Sequence, residues 1–137
     1  MPRLYREAPL ASIWEGSGTV AALDALRALT RQPDTAEALF AELEQAAGAD
    51  RRLDQAVARL RKDVSDPAEE RARYLAEAMA LALQGALLVR HGYPAVADAF
   101  AASRLGDEVA WGRAYGTLPS GTDTASIVSR ATPEILP

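Results

Sequence analysis

The sequence predicts an all-α fold, and three observations carry that expectation. Apolar residues fill 49% of its 137 positions, alanine supplies much of that share, and aromatic residues are only 6%, a composition rich in helix formers. Apolar side chains recur at three- and four-residue spacing along most of the chain, and no alternating strand pattern competes. Gly, Pro and Asp punctuate those stretches where helices stop and restart. The intervening loops are short, which favours antiparallel neighbours. The expected architecture is an up-down bundle of about five to six helices with an extended N-terminal arm and an irregular C-terminal tail.

Residues 1–17 contain Pro2 and Pro9 and show no helical period, so they read as an extended arm leading into a bundle at residues 18–116. Leu4, Tyr5, Leu10, Ile13 and Trp14 are too many apolar groups for a free tail, so the arm needs a surface to lie on. Val20, Leu23, Leu26 and Leu29 then mark a first helix from Gly18 or Thr19. Arg31-Gln32-Pro33 breaks it, and Asp34 followed by Glu37 has the spacing of a capping box, with Asp34 as N-cap of a second helix running to about Ala47 and stopped by Gly48.

Asp50 opens a third helix, in which Leu53, Val57, Leu60 and Val64 form one apolar stripe on a charged surface. Ser65-Asp66-Pro67 closes it and starts the longest helix: Asp66 suits an N-cap, Pro67 the first helical position, and Glu69 and Glu70 the positive end of the dipole. From Ala78 to Val89 this helix is apolar nearly all round, which predicts a central position. Gln84 and Gly85 inside it read as packing features: a buried amide needs partners, and glycine costs about 1 kcal/mol in a helix interior unless a neighbour packs close.

His91-Gly92-Tyr93-Pro94 is a stop and restart, with Gly92 suited to the left-handed position beyond the C-cap. Val96, Ala97, Phe100, Ala101 and Leu105 mark a fifth helix, and a short sixth is expected from about Asp107 to Tyr115, with Trp111 and Tyr115 on one face. Residues 117–137 are dominated by Gly, Pro, Ser and Thr and read as the tail.

Composition also bounds function. A net charge of −4 and a pI near 5.0 weigh against a domain built to grip phosphate backbones. Arg51, Arg52, Arg59, Arg61 and Lys62 do cluster, but Asp50, Asp54 and Asp63 interleave with them, the pattern of a solvated helix face. With no cysteine, disulfides and thiolate metal sites are excluded, and a reducing cytoplasm is the default compartment. The single histidine, His91, suits a helix C-terminus, and no metal site is expected. Residues 1–15 lack the apolar centre of a signal peptide, and the run Ala78–Val89, interrupted by Gln84, is shorter than the ~20 residues of a membrane span, so none is expected.

Chemistry concentrates at one turn. Glu15 stands between Trp14, which can shed water from one side, and Gly16 and Gly18, which let backbone approach a ligand closely. A carboxylate in that setting can act as a general base; alternatively it merely precedes a helix. Gly16-Ser17-Gly18-Thr19-Val20-Ala21 satisfies the G-x-G-x-x-A dinucleotide pattern, but no buried strand precedes it and no βαβ unit follows, so the match is accidental.

The run Arg6-Glu7-Ala8-Pro9, then Ser12-Ile13-Trp14-Glu15-Gly16-Ser17-Gly18, then Leu23-Asp24 and Leu26-Arg27, resembles the end of the flavin domain of the acyl-CoA dehydrogenases, in their AidB-like alkylation-response branch. A weaker likeness runs through Trp111-Gly112 and Tyr115-Gly116-Thr117-Leu118-Pro119. The resemblance implies Glu15 as the base that removes a proton α to a thioester carbonyl. It implies Gly16, Ser17 and Thr19 as part of a flavin site, although close relatives usually carry asparagine where Thr19 stands. FAD is then the cofactor and acyl-CoA the substrate class, but this chain is not expected to bind FAD alone, because that family holds the flavin mainly with an upstream helical domain and a middle β domain. The implied partner is a flavin-binding domain or subunit, in a homo- or hetero-oligomer. A non-catalytic assembly module is the second reading. DNA binding, linked in AidB-like proteins to a basic C-terminal region, is disfavoured by the acidic balance.

Overall fold

A computed structural model describes residues 2–12, 14, 18–106 and 116–133. Among these no strand occurs, and the helices are α1 (Pro2–Glu7), α2 (Gly18–Arg31), α3 (Pro33–Glu44), α4 (Arg51–Ser65), α5 (Ala72–His91), α6 (Pro94–Phe100) and α7 (Thr124–Ala131). Short 3-10 turns follow α1 at Ala8–Ser12 and precede α5 at Glu69–Arg71, and a π turn at Ala101–Leu105 extends α6. The expected all-α bundle is present, with slightly more helices than anticipated.

The core gathers on α5. Its Leu75, Ala82 and Ala86 pack with Phe40, Leu43 and Ala46 from α3 and the turn after it, and with Leu53 and Leu60 of α4. α2 lies along the same helix, and the π turn brings Ala101 and Leu105 into the cluster. The central position expected for the longest helix is borne out, and so is the α4 stripe. Ion pairs tie the layer edges: Arg61 of α4 bonds Glu44 of α3 at 2.8 Å, and Arg90 of α5 bonds Glu42 of α3.

The end signals divide. Asp50 caps α4 as expected, accepting from the N–H groups of Arg52 and Leu53. Asp34 does not cap α3; Pro33 occupies the first turn behind Gln32, so Asp34 falls inside it, where its charge still suits the dipole. Asp66 and Pro67 do not open α5 either. A residue before proline is disfavoured in the α region, and Asp66, at φ −139°, ends α4. Gly48 adopts φ +79° at the close of the turn after α3. Gly92 sits instead at φ −82°, and a Cβ there would lie 2.5 Å from the Leu88 carbonyl oxygen: this glycine answers a close approach, not a left-handed backbone.

Within α5, Gln84 is exposed, so its amide needs no buried partner, whereas Gly85 is buried against Leu105 and Leu53. By length and composition alone the Glu69–His91 stretch suffices to cross a membrane, which the interruption at Gln84 conceals when only the unbroken apolar run is counted. Here part of it is buried by the other helices of the bundle.

Over residues 2–12, the described run of the arm, the chain is helical and not extended. Pro2 sits at the first helical position, which tolerates it, and Arg3 pairs with Glu7 one turn on at 3.0 Å, so local forces wind residues 2–7 into α1. The tail likewise holds a helix, α7, whose first turn is capped by the Asp123 carboxylate accepting from the Ser126 N–H. The expected helix at Asp107–Tyr115, with Trp111 and Tyr115, lies outside the described residues.

Candidate functional site

Thr19 is the member of the expected site that the structure describes. It stands in the first turn of α2 and is exposed. Glu15, Gly16 and Ser17 lie outside the described residues. On the approach, the Trp14 N–H donates to the Leu10 carbonyl at 2.9 Å, while the indole is 65% exposed. Among the described residues Trp14 is therefore largely uncovered, and a second surface is needed before its ring can exclude water.

The head of α2 is electrically simple. Its first turn has no acidic side chain and its last turn carries Arg31, so the positive end of the helix dipole is not neutralised by a carboxylate within that turn. Nothing lies within 4 Å of where a Cβ on Gly18 would stand, so there is open space beside the start of the helix. Ahead of α2 in the chain, Leu4, Tyr5, Leu10 and Trp14 are exposed, with Tyr5 at 82%, and Val20 in its first turn is exposed as well.

Two features escape a reading of sequence alone. The first is an apolar groove of about 260 Å3, walled by Ala25, Ala28 and Leu29 of α2, Leu39 of α3, and Ala80 and Leu83 of α5. The all-round apolar character of α5 was its signal, because a helix with that pattern must be covered on every side. The second is a charge network at the base of α4. Arg52 bonds Asp50 at 2.6 Å and Asp98 of α6 at 2.7 Å, joining two helices remote in sequence. The Arg52 side-chain hydrogen bond, helped by backbone N–H groups, holds the Asp50 carboxyl below its usual range, and the two carboxylates push the Arg52 guanidinium higher still. The basic cluster on α4 is thus partly spent on internal pairs: Arg61 also covers the Phe40 ring at 4.2 Å, and Arg59 donates to the Leu105 carbonyl.

His91 is exposed in the last turn of α5, and no group of three or more potential metal ligands occurs among the described residues. A shallower cleft of about 440 Å3 lies between Tyr93 and α7, where Arg130 stands 5.6 Å from the Tyr93 ring.

No family model matches the chain. In sequence it is similar to a curated protein of Escherichia coli (strain K12) named "Putative acyl-CoA dehydrogenase AidB", with 40% identity over 100 residues. The match covers 73% of this chain and spans 18% of the relative's length. Over nearly three quarters of its length, then, the chain is similar to a stretch of that protein amounting to about a fifth of it.

Proposed function

We propose that the chain is the C-terminal helical portion of an AidB-like, FAD-dependent acyl-CoA dehydrogenase, contributing the catalytic base and one edge of the flavin site and inactive without the remainder. The observation that carries this reading is the 40% identity to AidB, combined with the Trp14-Glu15-Gly16 sequence that carries the resemblance to that family.

The donor set at the head of α2 fits a polar edge of a flavin. It offers the start of a helix dipole, an exposed Thr19, space beside Gly18 and no acidic side chain in the first turn. It does not by itself enclose a ring system. FAD, when bound, supplies the acceptor for the hydride that leaves the substrate β carbon. Glu15 takes the proton from the α carbon, and Trp14 excludes water from one side once a partner surface covers it. Gly16 and Ser17 join Thr19 in the proposed flavin edge, as the family resemblance implies. The partner is a flavin-bearing domain or subunit, the assembly is oligomeric, and the compartment is the cytoplasm, in keeping with a cysteine-free chain.

Replacing Glu15 with Gln in the flavin-containing assembly tests the assignment. Flavin content should hold while acyl-CoA oxidation falls about 100-fold or more. Undiminished turnover would reject Glu15 as base. The exposed apolar arm also favours a second reading, a non-catalytic assembly module. Under that reading the substitution is silent and removal of residues 1–14 abolishes association.

A further inference from the structure

We infer that the apolar groove between α2, α3 and α5 is the seat of an apolar helix from the flavin-bearing partner body, an inference that rests on the function proposed above. Three observations converge on it.

The first is helical geometry. At 100° per residue, Gly18, Ala21, Ala25, Ala28 and Leu29 fall within one sector of α2 about 100° wide. The open space over Gly18 and the wall of the groove are therefore one continuous face of the same helix. A body that covers the head of α2 meets the groove within two to three further turns, roughly 10–16 Å along the axis at 1.5 Å per residue.

The second is the chemistry of the walls. The lining is almost wholly apolar, and the small side chains Ala25, Ala28 and Ala80 admit the ridge of another helix at close range. On α5 the stripe continues past the groove through Ala76 to Leu87, which is 42% exposed. Along this side of α5, Ala80 and Leu87 are exposed and Ala76, Met79 and Leu83 only half-buried, so one apolar face of an otherwise core-forming helix is left uncovered by the described residues. A charged ligand finds no partner in such a groove, whereas an apolar helix face does.

The third is length. The chain spans 18% of its relative, so a body several times larger remains to provide that helix.

The absence of cysteine supplies a direct test. Ala80 is exposed on the groove wall and Ala58 is exposed on α4, so Ala80→Cys and Ala58→Cys each introduce one thiol without disturbing the core. The probe is a small maleimide, read as added mass on this chain. It is applied to the free chain and to the assembly captured through a C-terminal tag and shown by absorbance to contain flavin. Ala80→Cys should label at least 10-fold more slowly in the flavin-containing assembly than in the free chain, while Ala58→Cys labels equally in both.

Equal labelling of Ala80→Cys in the two states overturns the inference and leaves the Glu15 assignment standing. Protection already complete in a flavin-free dimer of the chain identifies a second copy as the occupant and also overturns it. If no flavin-containing assembly forms, the proposed function fails and takes this inference with it.

Discussion

Substituting Gly85 with alanine sets two known effects against each other at one buried position. In an open helix interior the change stabilises by about 1 kcal/mol, because glycine leaves more backbone freedom to the unfolded chain. In α5 the new methyl would stand 2.8 Å from Leu105 Cδ1, 3.3 Å from Leu53 Cδ1 and 3.7 Å from Phe100 Cε1. Carbon atoms settle at about 3.5–4.0 Å, so the Leu105 methyl must retreat by roughly 1 Å. Leu53 and Leu105 are 1% and 5% exposed, which leaves little room for that retreat, and overpacking of this kind costs about 1–3 kcal/mol. The net expectation is a loss of about 1 kcal/mol, seen as a fall in Tm of roughly 3–5 °C for a chain of this size. Thermal unfolding followed by circular dichroism measures it, and Gly85→Val should lose more. A Gly85→Ala variant that melts higher than the parent would refute the close-packing argument.

Other outcomes follow from the same structure. Gly92→Ala places a methyl against the Leu88 carbonyl, a backbone atom that cannot rotate away, and should cost about 1–3 kcal/mol in urea unfolding and disturb the α5–α6 junction. Leu53→Ala removes a fully buried side chain at the meeting of α4 and α5 and should cost about 2–5 kcal/mol by the same assay. Asp50 gives a pH signature. Its folded carboxyl titrates below the unfolded value, so its contribution is complete above ~3.9 and drains away as pH falls through that value toward the folded one. Asp50→Asn keeps an N-cap acceptor but has no such proton linkage. The stability gap between parent and variant should therefore narrow as pH drops below about 4, and a gap that stays constant to pH 2 would reject the assignment.

Much of the fold was legible because it rests on local rules. The stripe Leu53, Val57, Leu60 and Val64 and the cap at Asp50 are written into adjacent residues, and both appear where expected. Where two local signals competed, sequence alone could not rank them: Pro33 displaced Asp34 as the start of α3, and Pro67 ended α4 instead of opening α5. Pro2 and Pro9 suggested an extended arm, yet a first-turn proline and one ion pair suffice for a short helix. Gln84 and Gly85 are neighbours with opposite fates, one in solvent and one in the core, which only the placement of α4 and the π turn decides. The candidate site was legible as a resemblance centred on Glu15, of whose members the structure describes only Thr19, exposed in the first turn of α2. The groove was not legible, since its walls come from three helices brought together by packing.

The π turn at Ala101–Leu105 carries one residue more than an α turn would, closing on the bond from the Gly106 N–H to the Ala101 carbonyl at 3.1 Å. That additional residue swings Leu105 inward, and the notch that receives it is Gly85. Chain length in one helix and side-chain size in another are thereby made interdependent. Deleting a residue from Ala101–Leu105 would restore ordinary α winding but rotate Leu105 by about 100°, emptying the notch. Relatives of this bundle that lack the added residue should be free to carry a larger side chain at position 85, and those that keep it should keep glycine.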